Sequence, residues 1–346
     1  MQKISLTGLT PLQINEKLGL KQAFRGKQIF KWISSHAKSF SEMTNLSKEL
    51  REELEEKAVI RSSTVNTVLK DPGGTIKLQI KLEDGLFIET VLLTDKADRK
   101  TACVSCQAGC AMKCAFCQTG TLGLARNLTT GEIVEEFMYL EEEAGTLDNI
   151  VFMGMGEPMM NLEAIRGAIA WLSSAEGRNL STRRITLSTC GVIKGIYDLA
   201  DNGPNIRLAV SLTTADEDLR ERLMPVQKGN PLGELREAIN YYANKTGRRV
   251  TLEAALLHGE NTSKESANRM IDFARGIDVN INLIPWNPID SLPFSEPDPA
   301  ECKAFVSALE NAGLNVTLRT RRGRTIKGAC GQLGKTTLEN STEQAK

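Results

Sequence analysis

Histidine is nearly missing from this chain: His36 and His258 are the only two in 346 residues. That leaves nothing to build a His-rich zinc site and little room for a Cys–His nucleophile pair. Net charge is missing too, because 43 Lys and Arg balance 43 Asp and Glu. No overall pull on nucleic acid follows, so any such contact must come from local patches. Runs such as ITLSTCGVI and INLIPW fall far short of the roughly 20 apolar residues of a membrane span. The opening MQKISLTGLTPLQ has no apolar h-region, so no secretory signal is visible and a cytoplasmic address is expected. Internal repeats and low-complexity linkers are absent as well.

What is present reads as a soluble globular protein, 41% hydrophobic and 25% charged. The length suits one large domain, or a large domain with a smaller appendage. The first sixty residues carry helical spacing in TPLQINEKLGL and FRGKQIFKWISS, and NLSKELREELEEKA opens on a Ser able to cap a solvated helix. Between 64 and 93 the period becomes strand-like, with turns at Asp71-Pro72-Gly73-Gly74 and Asp84-Gly85. This predicts a small β meander. Beyond it, apolar strands near 149–154, 184–189, 206–212, 249–257, 279–285 and 315–320 alternate with amphipathic helices. Such alternation means βα units on a parallel sheet. With a strand near Thr101–Val104 there are six or seven, too few for a closed eight-fold barrel. A partial βα barrel is expected, with its chemistry at the C-terminal strand ends.

Five of the eight cysteines fall in one stretch, ACVSCQAGCAMKCAFCQTG: Cys103, Cys106, Cys110, Cys114 and Cys117. In a reducing compartment such density means metal ligands or catalytic thiols. Cys103-x2-Cys106 and Cys114-x2-Cys117 have the look of two zinc-ribbon halves, although the gap between them is short for a ribbon. Alternatively, Cys110-x3-Cys114-x2-Cys117 can hold three irons of a [4Fe–4S] cluster and leave the fourth open. FMGMGEPMMN, residues 152–161, then brings Gly154, Gly156 and Glu157 to the end of the next strand. Glycines there let backbone approach a ligand closely.

CAMKCAFC resembles the radical S-adenosylmethionine (SAM) signature, whose superfamily is built on partial βα barrels. The wider set (FRGKQIFKWI, FIETVLL, RNLT, GMGEPMMN, RRITLSTCGV, LMPV, INLIPWNP and ACGQL) is similar, in order, to the radical-SAM adenine-C2 methyltransferases of large-subunit ribosomal RNA and transfer RNA, the RlmN type. The likeness runs from about residue 5 to 335. It implies a partial (βα)6-type barrel over 99–335, preceded by a helical RNA-binding accessory domain (1–60) and a β extension (61–98), with a polar tail at 336–346.

The resemblance also implies roles. Cys110, Cys114 and Cys117 would ligate one [4Fe–4S] cluster. Gly156, Glu157, Ser188, Ser211, Leu212, Thr213 and Asn287 would contact SAM, two molecules of which serve each turnover. Cys330 would carry the methyl group, Cys103 would resolve the adduct through a transient disulfide, and Glu89 would accept a proton. Taken alone, Glu89 is a strand carboxylate of the kind usually solvated. Cys190 and Cys302 fit core or helix positions and take no role; Cys106 reads as a bystander.

The chemistry accounts for two thiols outside the cluster. Carbon 2 of adenine and the SAM methyl are both electrophilic, so direct polar transfer fails. Methylating a cysteine, activating that methyl by a radical route and releasing the RNA with a second thiol avoids the mismatch. The implied partners are 23S ribosomal RNA, transfer RNA and a low-potential reductase system; the implied state is a monomer off the membrane. Thr213 departs from the histidine usual in the family. Arg319, Arg321, Arg322, Arg324 and Lys327 give a basic run before Cys330, suited to phosphate. Methylation at carbon 8, and a non-catalytic zinc-ribbon RNA-binding protein, are the alternatives.

Overall fold

The computed structural model describes residues 3–334; the expected polar tail at 336–346 lies outside the described residues. Helix α1 (Pro11–Leu18) begins with a reciprocal cap between Thr10 and Gln13, has Pro11 in its first turn, and stops at left-handed Gly19. Helix α2 (Ala23–Ser34) follows. Helix α3 (Lys48–Lys57) starts at Ser47, whose hydroxyl accepts the Leu50 N–H. Only Leu54 of α3 is buried, so its charged face is solvated as expected. A short parallel pair, Ile4–Ser5 with Ala58–Val59, ties the two ends of this helical unit together.

The rest of the chain hangs on one ten-stranded sheet. Strands β1 (Thr64–Lys70), β2 (Ile76–Lys81) and β3 (Phe87–Thr94) form the antiparallel meander. Strands β4 (Lys100–Val104), β5 (Asn149–Phe152), β6 (Ile185–Thr189) and β7 (Arg207–Ser211) are parallel. So are β8 (Val250–Leu256), β9 (Val279–Pro285) and β10 (Asn315–Leu318). Between them run α4 (Thr130–Ala144), α5 (Leu162–Ser173) and α6 (Ile193–Asn202). Helices α7 (Leu232–Thr246), α8 (Lys264–Ala274) and α9 (Pro299–Asn311) complete the alternation. Strands β1 and β10 stand at the two edges and do not pair, so the sheet stays open.

The meander is more than a connector. Val91 of β3 lies opposite Cys103 of β4, which fuses the antiparallel strands to the parallel ones. Two features carried no periodic signal because they are too short. One is the ribbon of Gln107–Cys110 with Gly123–Asn127, which brackets the cysteine loop. The other is a helix over Glu217–Leu223.

The C-terminal end of α4 carries Glu141, Glu142 and Glu143, acids placed where the helix dipole disfavours them, and the helical unit reaches the first two through His36. Cations offset that placement. His36 faces Glu141 at 3.1 Å and Glu142 at 3.7 Å, Arg178 reaches Glu141, Arg61 reaches Glu142, and Lys70 reaches Glu143. The two glutamates raise the His36 pKa from 6.5 to about 9. A raised histidine stabilises the fold fully below its unfolded pKa of 6.5 and loses that contribution as pH climbs through about 9. With the ring 27% exposed, solvent screening leaves about 1–2 kcal/mol of the coupling. Urea unfolding should therefore show wild type losing about that much, relative to His36→Gln, between pH 6 and pH 9.5.

Candidate active site

The cysteine loop is fixed from three sides. Ala115 donates its N–H to the Leu223 carbonyl at 2.8 Å, and Gln118 donates to the Gly331 carbonyl at 2.8 Å. Trp286 Nε1 donates to the Phe116 carbonyl at 2.9 Å. Beneath it Cys190, Leu223, Met224, Leu257, Trp286 and Ile289 form a small apolar cluster that also takes Met112, Cys114 and Phe116. Burial pushes the Cys110 thiol up to about 12, with Cys117 and Glu157 adding to the lift. Burial raises Cys114 as well, helped by Cys117 and Cys110. The three thiols thus share one electrostatic neighbourhood, partly cut off from water.

The segment after Lys327 folds back over this loop. Asn287 Nδ2 donates to the Cys330 carbonyl at 3.2 Å, Thr119 Oγ1 to the Leu333 carbonyl at 2.8 Å, and Gln332 Nε2 to the Pro288 carbonyl at 2.8 Å. The Gly334 N–H reaches Glu89 Oε2 at 2.8 Å. Cys330 is exposed on the folded-back segment, while the protein packed around its thiol still acts on it. Desolvation there lifts its pKa to about 11, with Glu253 lifting it further and Arg319 opposing. Burial raises Cys103 strongly, and Cys330 is the next contributor. Both thiols are free. Two cysteines that lie far apart in the chain thus come within electrostatic reach of one another.

The sheet face they share is polar. Register puts Ser188 opposite Ala209, Ser211 opposite Glu253, and Glu253 opposite Asn282. Glu253 accepts from Ser188 Oγ at 2.9 Å and from Asn282 Nδ2 at 3.0 Å. Glu89 is fully buried, contrary to the solvated strand carboxylate that its pattern suggests. Its Oε1 lies 3.3 Å from the equally buried Lys77 Nζ, which in turn reaches the Lys327 carbonyl at 3.3 Å.

Glu157 is buried, and its carboxylate accepts the Met159 and Cys190 N–H groups at 3.0 and 2.8 Å. Gly156 has φ +106°, where a Cβ would meet Gln107 Cβ at 2.6 Å and Cys106 Sγ at 2.9 Å. A Cβ on Gly154 would strike Val104 and Ser105 at 2.7 Å. The glycines are thus demanded by close approach to the chain itself, where the sequence suggested approach to a ligand. Leu212 is buried with its side chain in the main core, leaving only main chain to offer a ligand. Thr213 sits at φ 60°, costly for a β-branched residue. The N–H groups of both donate to the Glu253 carbonyl. Cys106 is buried against the Gly156 turn, and burial raises its thiol strongly.

Do these groups suit an iron–sulfur cluster and SAM? Among the described residues, no three His, Cys, Asp or Glu converge as ligands of one ion do. Thiolates of a cuboidal cluster bind separate irons and so ring a space without meeting. Raised thiol pKa values favour the protonated form, which iron coordination reverses. The buried Asn287 Oδ1 has no partner, an acceptor waiting for a donor. The donor set fits.

Sequence reading passed over several residues here. Glu253 left a signal, a lone charge inside the apolar strand RVTLEAALL. Arg220 left none, since DLRERL reads as an ordinary charged helix. The basic run is also less available than its composition suggests. Arg321 and Arg324 pair with Glu296, and Lys327 pairs with Asp290 at 2.9 Å. Arg319 acts inward on Cys330 and Glu253.

Residues 104–271 match the family model described as the radical SAM superfamily. Residues 6–60 match the ribosomal RNA large subunit methyltransferase N-terminal domain. A protein of Treponema denticola named "Probable dual-specificity RNA methyltransferase RlmN" is 57% identical over 339 residues, covering 98% of each chain. One of the same name from Treponema pallidum is 52% identical over 332 residues, covering 96% of this chain and 98% of the relative. The crystal structure of a radical SAM methyltransferase from Sphaerobacter thermophilus superposes with a TM-score of 0.91 at 40% identity, across 95% of this chain and 99% of that one. With its open parallel sheet, its cysteine loop at the strand ends and relatives matched along nearly its full length, the chain belongs to the RlmN family of radical-SAM RNA methyltransferases.

Proposed function

We propose that the protein methylates carbon 2 of an adenine in large-subunit 23S ribosomal RNA, and in transfer RNA, by way of a methylated Cys330. The observation that supports this reading is the folded-back C-terminal segment, in which Gly331 accepts from Gln118 of the cysteine loop, Asn287 holds the Cys330 carbonyl, and the Cys330 thiol is within electrostatic reach of Cys103. The [4Fe–4S] cluster and SAM, when bound, supply the methyl group and the one-electron chemistry that activates it.

The chain's own residues do the rest. Cys110, Cys114 and Cys117 hold the cluster. Gly156, Glu157, Ser188, Ser211, Leu212, Thr213 and Asn287 surround SAM; Leu212 contributes main chain, and Asn287 also fixes the Cys330 backbone. Cys330 receives the methyl as a thioether. Cys103, as a thiolate, bonds to the Cys330 sulfur as the carbon–sulfur bond to the base breaks; the released carbon keeps that electron pair and takes up a proton to become the methyl group, and a cellular thiol reductant reopens the disulfide. Glu89, held by Lys77 and the Gly334 N–H, accepts the proton that leaves the base.

Residues 1–60 act as an RNA-binding accessory domain, 61–98 as a β extension and 99–335 as the catalytic barrel. Arg322, which has no carboxylate partner among the described residues, offers a phosphate contact at the mouth. The target adenine is unstacked to reach Cys330. A cytoplasmic monomer served by a low-potential reductase fits this reading. Among the described residues, no helix is long and apolar enough to cross a membrane. The test is nucleoside mass spectrometry of 23S ribosomal RNA and transfer RNA treated with enzyme, SAM and reductant. 2-Methyladenosine in both is expected; 8-methyladenosine would overturn the regiochemistry, and no methylated adenosine the activity.

A further inference from the structure

Arg220 is fully buried, at 0% exposure, and among the described residues no carboxylate acts on it. Its Nη2 donates to the Cys190 carbonyl at 2.8 Å and, more weakly, to the Ser211 carbonyl at 3.5 Å. Nη1 donates to Gln227 Oε1 at 3.2 Å, and Nε is buried with no acceptor. Every one of these partners is neutral. Nearby acids are committed elsewhere: Asp216 to Arg269, Glu221 to Lys228, and Glu157 to the Cys190 and Met159 N–H groups. Lys77, the other buried cation, has Glu89 as its counter-charge.

A buried guanidinium without an anion is strongly penalised by desolvation, so a counter-charge is expected at this place. The helix over Glu217–Leu223 that carries Arg220 is seated on the cysteine loop through the Leu223 carbonyl. Leu223 and Met224 share an apolar cluster with Cys114. The groups that act electrostatically on Arg220 are Cys190 and Cys114. No carboxylate faces it, but the loop delivers three thiolates once iron binds.

We propose that Arg220 is the fixed counter-charge of the iron–sulfur centre and a positioning residue that holds up its reduction potential. The inference rests on Cys110, Cys114 and Cys117 holding that cluster. Each added electron makes the centre more negative. A cation in a low-dielectric pocket therefore stabilises the reduced state more than the oxidised one. A neutral residue makes reduction harder without removing any ligand.

The experiment is an anaerobic redox titration of the cluster, followed by electron paramagnetic resonance without SAM, for wild type, Arg220→Lys and Arg220→Gln. Arg220→Gln is expected to keep full iron and sulfide while its midpoint moves to a more negative potential, and Arg220→Lys to restore part of the shift. Should the Gln variant lose iron while the Lys variant keeps it, the counter-charge role is equally supported. A fully loaded Gln variant titrating at the wild-type potential overturns the proposal. So does an unchanged potential with weakened SAM binding, which would assign Arg220 to the SAM carboxylate. Wild-type protein that takes up no iron at all would instead remove the cluster reading beneath it.

Discussion

Replacing Cys103 by alanine is expected to stop turnover and leave RNA covalently attached to Cys330. The loss should be at least about a thousandfold, the scale seen when one member of a cooperating catalytic set is removed. The expectation follows from position. Cys103 lies on β4, opposite Val91 of β3 and Val151 of β5, so its side chain leaves the sheet on the same face as theirs. Cys330 is its electrostatic neighbour. With the resolving thiol gone, no Cys103–Cys330 disulfide can form, so the carbon–sulfur bond that ties Cys330 to the base stays intact. A denaturing gel should show protein and labelled RNA migrating together, and Cys330→Ala added to the same chain should separate them. Free RNA in the single variant would mean that release does not depend on Cys103.

The second large effect separates neighbouring cysteines that look alike on paper. Alanine at Cys110, Cys114 or Cys117 is expected to eliminate methylation and the broad cluster absorbance near ~400 nm, with iron falling toward zero. Alanine at Cys106 should leave iron and absorbance intact. Cys106 is buried, its carbonyl accepts from Leu128 N–H and Asn161 Nδ2, and its sulfur packs under Gly156. Removing that sulfur costs about 1–2 kcal/mol of packing, visible as a lower unfolding midpoint. Iron lost on Cys106→Ala and kept on Cys110→Ala would reverse the division. Anaerobic iron and sulfide assays on the four variants decide it.

How much of this was legible beforehand differs from element to element. Strand and helix alternation beyond residue 149 could be read because each piece repeats its period several times. The expected helix at 298–312 appears as Pro299–Asn311, with Asp298 and Glu301 capping it reciprocally. β2 shows where periodicity misleads. TIKLQIKL alternates as a half-solvated strand does, yet Lys77 and Gln79 are buried. Their polar face turns inward, toward Glu89 and the folded-back segment, and alternation cannot say which side water occupies. Pairings such as Gly334 with Glu89 depend on tertiary closure, and no local pattern encodes them. The three-and-two division of the clustered cysteines rests on resemblance, and the iron assays decide it. The unpaired charge of Arg220 was visible only once burial was known.

The proposed reaction turns on Cys330 carrying the group that is transferred. Trypsin releases that residue in a short peptide, Gly328 to Lys335, which has no other cysteine. Its mass, measured on Cys103→Ala protein after incubation with RNA, SAM and reductant, is the most direct test. A Cys330 bearing a methyl group or a nucleotide fragment is the result predicted. An unmodified thiol under conditions where wild type methylates RNA would contradict the account at its centre.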